Sequence, residues 1–292
     1  MNPLSLASAA KTLVKPLAIT AAFATAFAAH AATTTTTFES GQEGWEGPQG
    51  IGGSSQIVPD GNPGNAYQTV FNNFGITFSN TTNPAFVGDY TQYESITISI
   101  DVRVDYLNFF GTDVSRSWLL DLRNQTAAQG SDYPWFSTFF VFDTISQAQN
   151  SNWTTFSVTF DPNSESLPTG WGGYGAEDPN TFEPILPPGQ TFASILSDVT
   201  EIAFTTFEPG YFYGFSDHTI LIDNITITTT TGSTCPSCAA DFDANGGVDG
   251  ADIAAFIADF ETGAACADVD ANGGVDGADL AFFIAVYEAG GC

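Results

Sequence analysis

A segment near the C-terminus repeats itself with a period of 27 residues, and no other feature of the chain restricts its fold as tightly. Residues 241–252 read DFDANGGVDGAD and recur at 268–279 as DVDANGGVDGAD; 17 of 23 positions agree between 241–263 and 268–290. Each twelve-residue loop carries side-chain oxygens at positions 1, 3, 5, 9 and 12 and glycine at position 6. A calcium ion takes six to eight hard oxygen ligands, and alternate residues of such a loop converge on one point. The spacing predicts one calcium site at Asp241, Asp243, Asn245, Asp249 and Asp252, and a second at Asp268, Asp270, Asn272, Asp276 and Asp279. Position 7 would add a backbone carbonyl, and Val248 and Val275 would pair the loops through a short strand contact. After each loop, Ile253, Phe256, Ile257 and Phe260, and then Leu280, Phe283, Ile284 and Tyr287, follow the apolar spacing of one helix face. Gly263 and Gly290 fit helix ends.

This segment resembles a type I dockerin, a duplicated loop-helix module with Asp at the last loop position. Its Glu288-Ala289-Gly290-Gly291-Cys292 ending and its cysteines are similar to the GC-type dockerins of secreted bacterial proteins. The resemblance implies docking onto a cohesin-type receptor. Loop positions 10 and 11 are Gly250-Ala251 and Gly277-Ala278, where cellulosomal dockerins commonly carry Ser or Thr. Another kind of surface receptor therefore stays open as the partner.

All four cysteines, Cys235, Cys238, Cys266 and Cys292, lie in this segment. Cys235-Pro236-Ser237-Cys238 has the spacing of redox and zinc sites, but the βαβ context of a redox site is absent. Two disulfides in a small exported domain are the expectation. Of three possible pairings, those joining Cys235 and Cys238 to Cys266 and Cys292 close the larger loops.

The N-terminus predicts export. Lys11 and Lys15 precede a short apolar stretch at 16–29, and Ala29-His30-Ala31 is a small-x-small cleavage site, so residues 1–31 read as a signal peptide. No later segment is apolar for long enough to span a membrane. Without that leader the chain keeps three arginines and no lysine against 33 acidic residues. Such a surface excludes binding to nucleic acid, which needs a basic face, and to anionic lipid. It does not imply disorder, because 43% of residues are apolar and 26 are Phe.

Residues 32–230 predict a mainly β domain of jelly-roll size, followed by a small all-α unit at 231–292. Ile96, Ile98, Ile100, Val102 and Val104 alternate with polar residues, giving a strand with one apolar face. Similar runs occur at 67–78, 117–123, 135–142, 153–160, 201–207 and 219–228, separated by Gly, Pro, Asn and Ser. That pattern describes a two-sheet sandwich. Trp118 and Trp153 begin apolar alternations and are expected in the core.

The opening strand, read as Phe38-Glu39-Ser40-Gly41 with Gly44-Trp45, and the closing run Ile222-Asp223-Asn224-Ile225 resemble carbohydrate-binding jelly rolls of the galactose-binding-like kind. Phe86-Val87-Gly88-Asp89 is similar to the laminin domain IV sandwich. The first resemblance implies a structural calcium held by Glu39 and Asp223. Sugar recognition needs aromatic platforms beside hydrogen-bonding groups. Tyr133 and Trp135 flank a proline, and Trp171 and Tyr174 lie in the long Gly/Pro-rich connection at 161–192; these four are the candidate ligand-binding residues. Tyr211 and Tyr213 precede a turn.

Motifs for catalysis are missing. There is no G-x-S-x-G, H-E-x-x-H or phosphate loop, and His218 is the only histidine after the leader region. The reading is an exported, non-catalytic, calcium-binding protein whose sandwich binds polysaccharide or an extracellular surface and whose tail tethers it. The alternatives are a tethered polysaccharide hydrolase or lyase on the same fold, and a structural surface protein without sugar affinity.

Overall fold

The computed structural model describes residues 30–231, 235, 236 and 238–290. Residues 1–29 of the expected 1–31 leader and Cys292 lie outside the described residues, and the leader's last two residues, His30 and Ala31, begin β1. The chain divides between Thr234 and Cys235 into a β unit and a helical unit. Among the described residues no helix is long and apolar enough to cross a membrane.

In chain order the first strands are β1 (His30–Thr36), β2 (Trp45–Glu46), β3 (Gly53–Gly61), β4 (Gly64–Asn73), β5 (Thr77–Asn80), β6 (Ser95–Phe109) and β7 (Thr112–Asp113). Then come β8 (Arg116–Asn124), β9 (Phe136–Ile145), α1 (Gln147–Asn150), β10 (Thr154–Phe160), β11 (Trp171–Tyr174), β12 (Ala176–Glu177) and β13 (Pro184–Ile185). The unit closes with α2 (Phe192–Leu196), β14 (Glu201–Thr205) and β15 (Ser216–Thr231).

One sheet has the order β10-β6-β15-β4-β3, with β1 added to β15 and β7 to β6; the other runs β11-β9-β8-β14-β5-β2. Every pairing in both sheets is antiparallel. The unit is thus a mainly β sandwich. Alternation explains the layers. Ile96, Ile98, Ile100, Val102 and Val104 of β6 are fully buried, as are Ile220, Ile222 and Ile225 of β15 opposite them. From the other sheet, Trp118, Leu120 and Leu122 of β8 and Phe204 of β14 enter the same core. Phe204 is its hub: it packs 5.7 Å from Trp45, 6.3 Å from Trp118 and 6.4 Å from Phe142, centroid to centroid.

Two sequence expectations change here. Phe38–Gly41 is not the first strand. Phe38 and Gly41 both have positive φ, 58° and 104°, so the chain turns there. The strand that precedes them is β1, whose Thr33 and Thr35 face Thr228 and Thr226 of β15. Trp153 is only partly buried, because it lies under the Arg103 guanidinium, 5.2 Å away, instead of entering the core.

The helical unit holds α3 (Gly250–Thr262), a short 3₁₀ turn at Ala265–Ala267, and α4 (Gly277–Ala289). Phe256 and Phe283, equivalent positions of the repeat, stack in parallel 4.0 Å apart, and Phe242 packs edge-on against both. Both helices end at a left-handed glycine, Gly263 and Gly290. Cys235 is bonded to Cys266, and Cys238 is also disulfide-bonded. Val275 packs against the small core, and among the described residues no β-bridge joins it to Val248.

Phe204→Ala empties the centre of the sandwich. The expected loss of unfolding free energy is about 3–5 kcal/mol, measured as a shift of the urea midpoint of the β unit; a shift corresponding to less than about 1 kcal/mol would mean that the neighbouring rings collapse into the space.

Candidate functional site

The outer face of the second sheet carries a cleft of about 410 Å³, a size suited to a small ligand or a few linked sugar rings. Its floor is β8. Leu120 and Leu122 point into the core, so Asp121 and Arg123 must point the other way. Arg123 donates from Nε to Asp121 at 2.7 Å and from Nη1 to Glu201 at 2.8 Å. Glu201 stands directly opposite Arg123 in the β14–β8 register. Burial opposes the guanidinium charge, but the two carboxylates outweigh it and hold its pKa above the ordinary value. The Trp135 ring covers the guanidinium at 4.1 Å, a cation–π contact in a largely desolvated place.

The walls are aromatic and come from loops and from the end of β11. Trp135, Tyr174, Phe207 and Tyr211 line the cleft, with Glu208 between them. Tyr174 lies 6.1 Å from Trp135, and Tyr133 meets it edge-on at 5.3 Å. Burial, with Tyr133 and Asp121 nearby, raises the Tyr174 phenol pKa, so it stays a neutral donor. Gly210 makes the turn from Glu208 to Tyr211: its φ is +83°, and a Cβ there would sit 3.0 Å from Pro184 Cδ. Ser117 donates to Glu208, and its hydroxyl also lies 3.1 Å from that of Tyr213.

The four candidate rings therefore separate. Trp135 and Tyr174 meet in this cleft, and Tyr133 lines a smaller adjoining pocket with Tyr174. Trp171 does not join them: it is 9% exposed and packs at 4.9 Å from both Phe160 and Phe192. The reason is parity, because Trp171 and Tyr174 are three residues apart on one strand and so face opposite sides. The sequence reading missed Asp121, Arg123 and Glu201. Their signal was present as a charge at every second position of the run Leu120-Asp121-Leu122-Arg123.

Glu39 and Asp223, read as calcium ligands, clamp the β3–β4 hairpin. Asp223 accepts the Asn62 backbone N–H at 2.5 Å and that of Asn224 at 2.7 Å; Glu39 accepts from the Asn65 backbone at 2.6 Å. Asn224 has a φ of +47°, and a bulge follows Asp223 in the β15–β6 register, which turns its side chain toward the hairpin. Asp101, opposite Asp223, accepts from Asn62, Asn224 and Thr155. The carboxylates are already supplied with donors, and no three carboxyl oxygens converge here as they do in the tail loops.

In the helical unit, carboxylate oxygens of Asp241, Asp243 and Asp252 lie within 4.8 Å of one another, and so do those of Asp268, Asp270 and Asp279. Asp241 Oδ1 is buried without a partner, an acceptor placed as a cation would require. Asp252 is fully buried and takes the backbone N–H groups of Asp249 and Asp243, which lower its pKa. Gly246 and Gly273, at φ of +89° and +95°, make the turn after the third expected ligand, Asn245 or Asn272. Asp249 and Asp276 depart from the expected sets. Each caps its helix through the backbone N–H of Ala251 or Ala278 at 2.7 Å and stands outside the three-carboxylate group. Asn245 and Asn272 sit beside the groups and donate to Asp243 and Asp270. The donor set is all oxygen, which fits calcium.

No protein-family model matches the chain, and no curated protein does. Solved structures do. A family 11 carbohydrate-binding module from Clostridium thermocellum, in complex with a mixed-linked β-1,3-1,4 tetrasaccharide, is 18% identical over 67% of this chain and 94% of that one, with a TM-score of 0.39. A family 30 carbohydrate-binding module of a cellulosomal cellulase from the same organism is 10% identical over 63% of this chain and 90% of that one, TM-score 0.37. A carbohydrate esterase of the Shiga toxin-encoding bacteriophage phi24B is 14% identical over 67% and 99%, TM-score 0.36. With identities and scores this low, function has to be read from the residues themselves.

One consequence is measurable by pH. Burial, with Asp101 and Glu39 close by, pushes the Asp223 pKa up to about 6 from an ordinary 3.8, against the backbone N–H bonds that lower it. Between those values the folded chain keeps a proton that the unfolded chain releases, so this group's contribution falls as pH rises through the window. In EDTA, the melting temperature of the β unit should decline across it, and Asp223→Asn should flatten the decline. An identical slope in the variant would assign the dependence to other groups.

Proposed function

We propose that this chain is an exported, non-catalytic binding protein whose sandwich takes a polysaccharide strand in the β8 cleft and whose helical unit is a calcium-dependent tether. The observation that carries the first half is the cleft itself. The rings of Trp135, Tyr174 and Tyr211 gather there beside Asp121 and Glu208. Aromatic faces suit the apolar faces of sugar rings, and carboxylates and phenols suit their hydroxyls. The test is a polysaccharide panel read both by binding and by product release. Binding without turnover supports the reading; release of reducing ends or unsaturated products replaces it with a hydrolase or lyase. Trp135→Ala is expected to weaken binding about tenfold, the effect of losing one stacking platform, by calorimetry. Equal affinity in that variant would move the site elsewhere.

The second half rests on the paired three-carboxylate groups and the unpartnered Asp241 Oδ1. Asp241, Asp243 and Asp252 would hold one ion, and Asp268, Asp270 and Asp279 the other. Asn245 and Asn272 would turn their carbonyl oxygens inward, and Asp249 and Asp276 would act from the helix caps. Bound calcium would neutralise carboxylates whose mutual repulsion opposes folding in a segment with eleven acids and no base. A cohesin-type or other surface receptor would then meet the folded unit. Asp241→Ala with Asp268→Ala should abolish both high-affinity calcium isotherms. Two sites retained in that double variant would refute the ligand assignment. A calcium-dependent pull-down from surface extracts, with the double variant as control, tests the tether.

A further inference from the structure

We propose that the cleft selects an uncharged polysaccharide over uronate-bearing or sulfated ones, and that Arg123 enforces this as a positioning residue, acting through Trp135 without touching the ligand. The inference rests on the polysaccharide reading of the cleft. Arg123 is the only cation among the lining residues. An arginine in such a place ordinarily offers its planar fork to a carboxylate or sulfate. Here the fork is engaged. Nε and Nη1 are held by Asp121 and Glu201, the indole covers one face, and the residue is only 7% exposed.

The balance beneath the ligand is therefore negative. Asp121 and Glu201 outnumber Arg123, and Glu208 adds a further carboxylate to the wall. Asp121 is 4% exposed, and its Oδ1 has no partner. A carboxylate buried just beneath the cleft floor keeps the field there negative, which disfavours a ligand that brings another negative charge. Sugar hydroxyls are uncharged, whereas the carboxylates of uronates and the sulfate esters are not. The clamped guanidinium also gives Trp135 a fixed support, and a platform already held in place loses less freedom when a sugar ring lands on it.

The test uses the full exported chain with two sets of soluble probes: mixed-linkage β-glucan, xyloglucan and galactomannan against polygalacturonate, alginate and fucoidan. The whole protein repels polyanions, so binding is measured at about 1 M salt, where the screening length is about 3 Å. Local selection should persist there: at least one neutral probe binds, and each anionic probe binds more than about tenfold more weakly, as like-charge contacts at close range require. An anionic probe that binds as tightly as the best neutral one overturns the proposal. Arg123→Met combined with Asp121→Asn and Glu201→Gln removes the clamp without leaving a buried charge unpaired. In that variant Trp135 should become more accessible to acrylamide, read as the fluorescence difference from a matched Trp135→Phe protein. Neutral binding should weaken about tenfold. If the triple variant does not fold, Arg123→Lys keeps the charge, loses the fork, and should give the same two changes. Unchanged quenching and affinity in a folded variant overturn the positioning role. Failure of every probe to bind overturns the polysaccharide reading and the selectivity with it, while the quenching comparison still decides the Arg123 role.

Discussion

Strand β8 is buried along all nine of its residues, and the rest of the sandwich is arranged around that fact. A strand at the surface of a two-layer domain normally shows one face to water. Here the inner face feeds the core through Trp118, Leu120 and Leu122, and the outer face carries Asp121 and Arg123. Charged groups survive such burial only when paired with good geometry. That requirement places Glu201 opposite Arg123 on β14 and brings the Trp135 ring over the guanidinium. Tyr174 at the end of β11 and the loop from Phe207 to Tyr211 complete the covering and form walls of the cleft.

The helical unit meets the opposite problem, having little apolar surface to bury. Its core is three phenylalanines and Ala267, with Phe260, Tyr287 and aliphatic groups partly buried around them, and domains of this size usually need staples or metal. Disulfides at Cys235–Cys266 and at Cys238 supply the first, and the aspartates supply the means for the second. Asp252 serves the helix and the carboxylate group at once: it forms the capping box with Asp249 while closing the loop through the Asp243 backbone. The same arrangement recurs at Asp279, Asp276 and Asp270.

How far the sequence revealed this depends on the element. The alternation in β6 and in β10 fixed strands, faces and neighbours, because period-two patterning with one apolar side has few other solutions. The helices of the repeat were equally clear. Strand β1 was obscured because Ala31-Ala32-Thr33-Thr34-Thr35-Thr36 has no apolar face of its own; it pairs through its backbone and its threonine hydroxyls. Trp171 was misjudged because the four-residue strand that sets its direction lies in a Gly-rich stretch. The cleft was half visible. Rings near prolines pointed to it, but the ionic floor depends on strand pairing between residues 78 positions apart, which no local pattern contains. Asp249 and Asp276 were legible as oxygens at the right spacing, though not as helix caps competing for the same side chains.

Each arginine of the sandwich lies against an aromatic ring: Arg103 against Trp153, Arg116 against Tyr213 and Arg123 against Trp135. No lysine follows Lys15, and the repeat segment has no basic residue. Proteases of the trypsin type must draw an extended cationic side chain into a deep acidic pocket. Among the described residues none is free to extend, so cleavage of the sandwich by such enzymes would have to wait for it to open. Against such enzymes, the scarcity of positive charge would thus make survival of the sandwich depend on its global unfolding rather than on the motion of any loop.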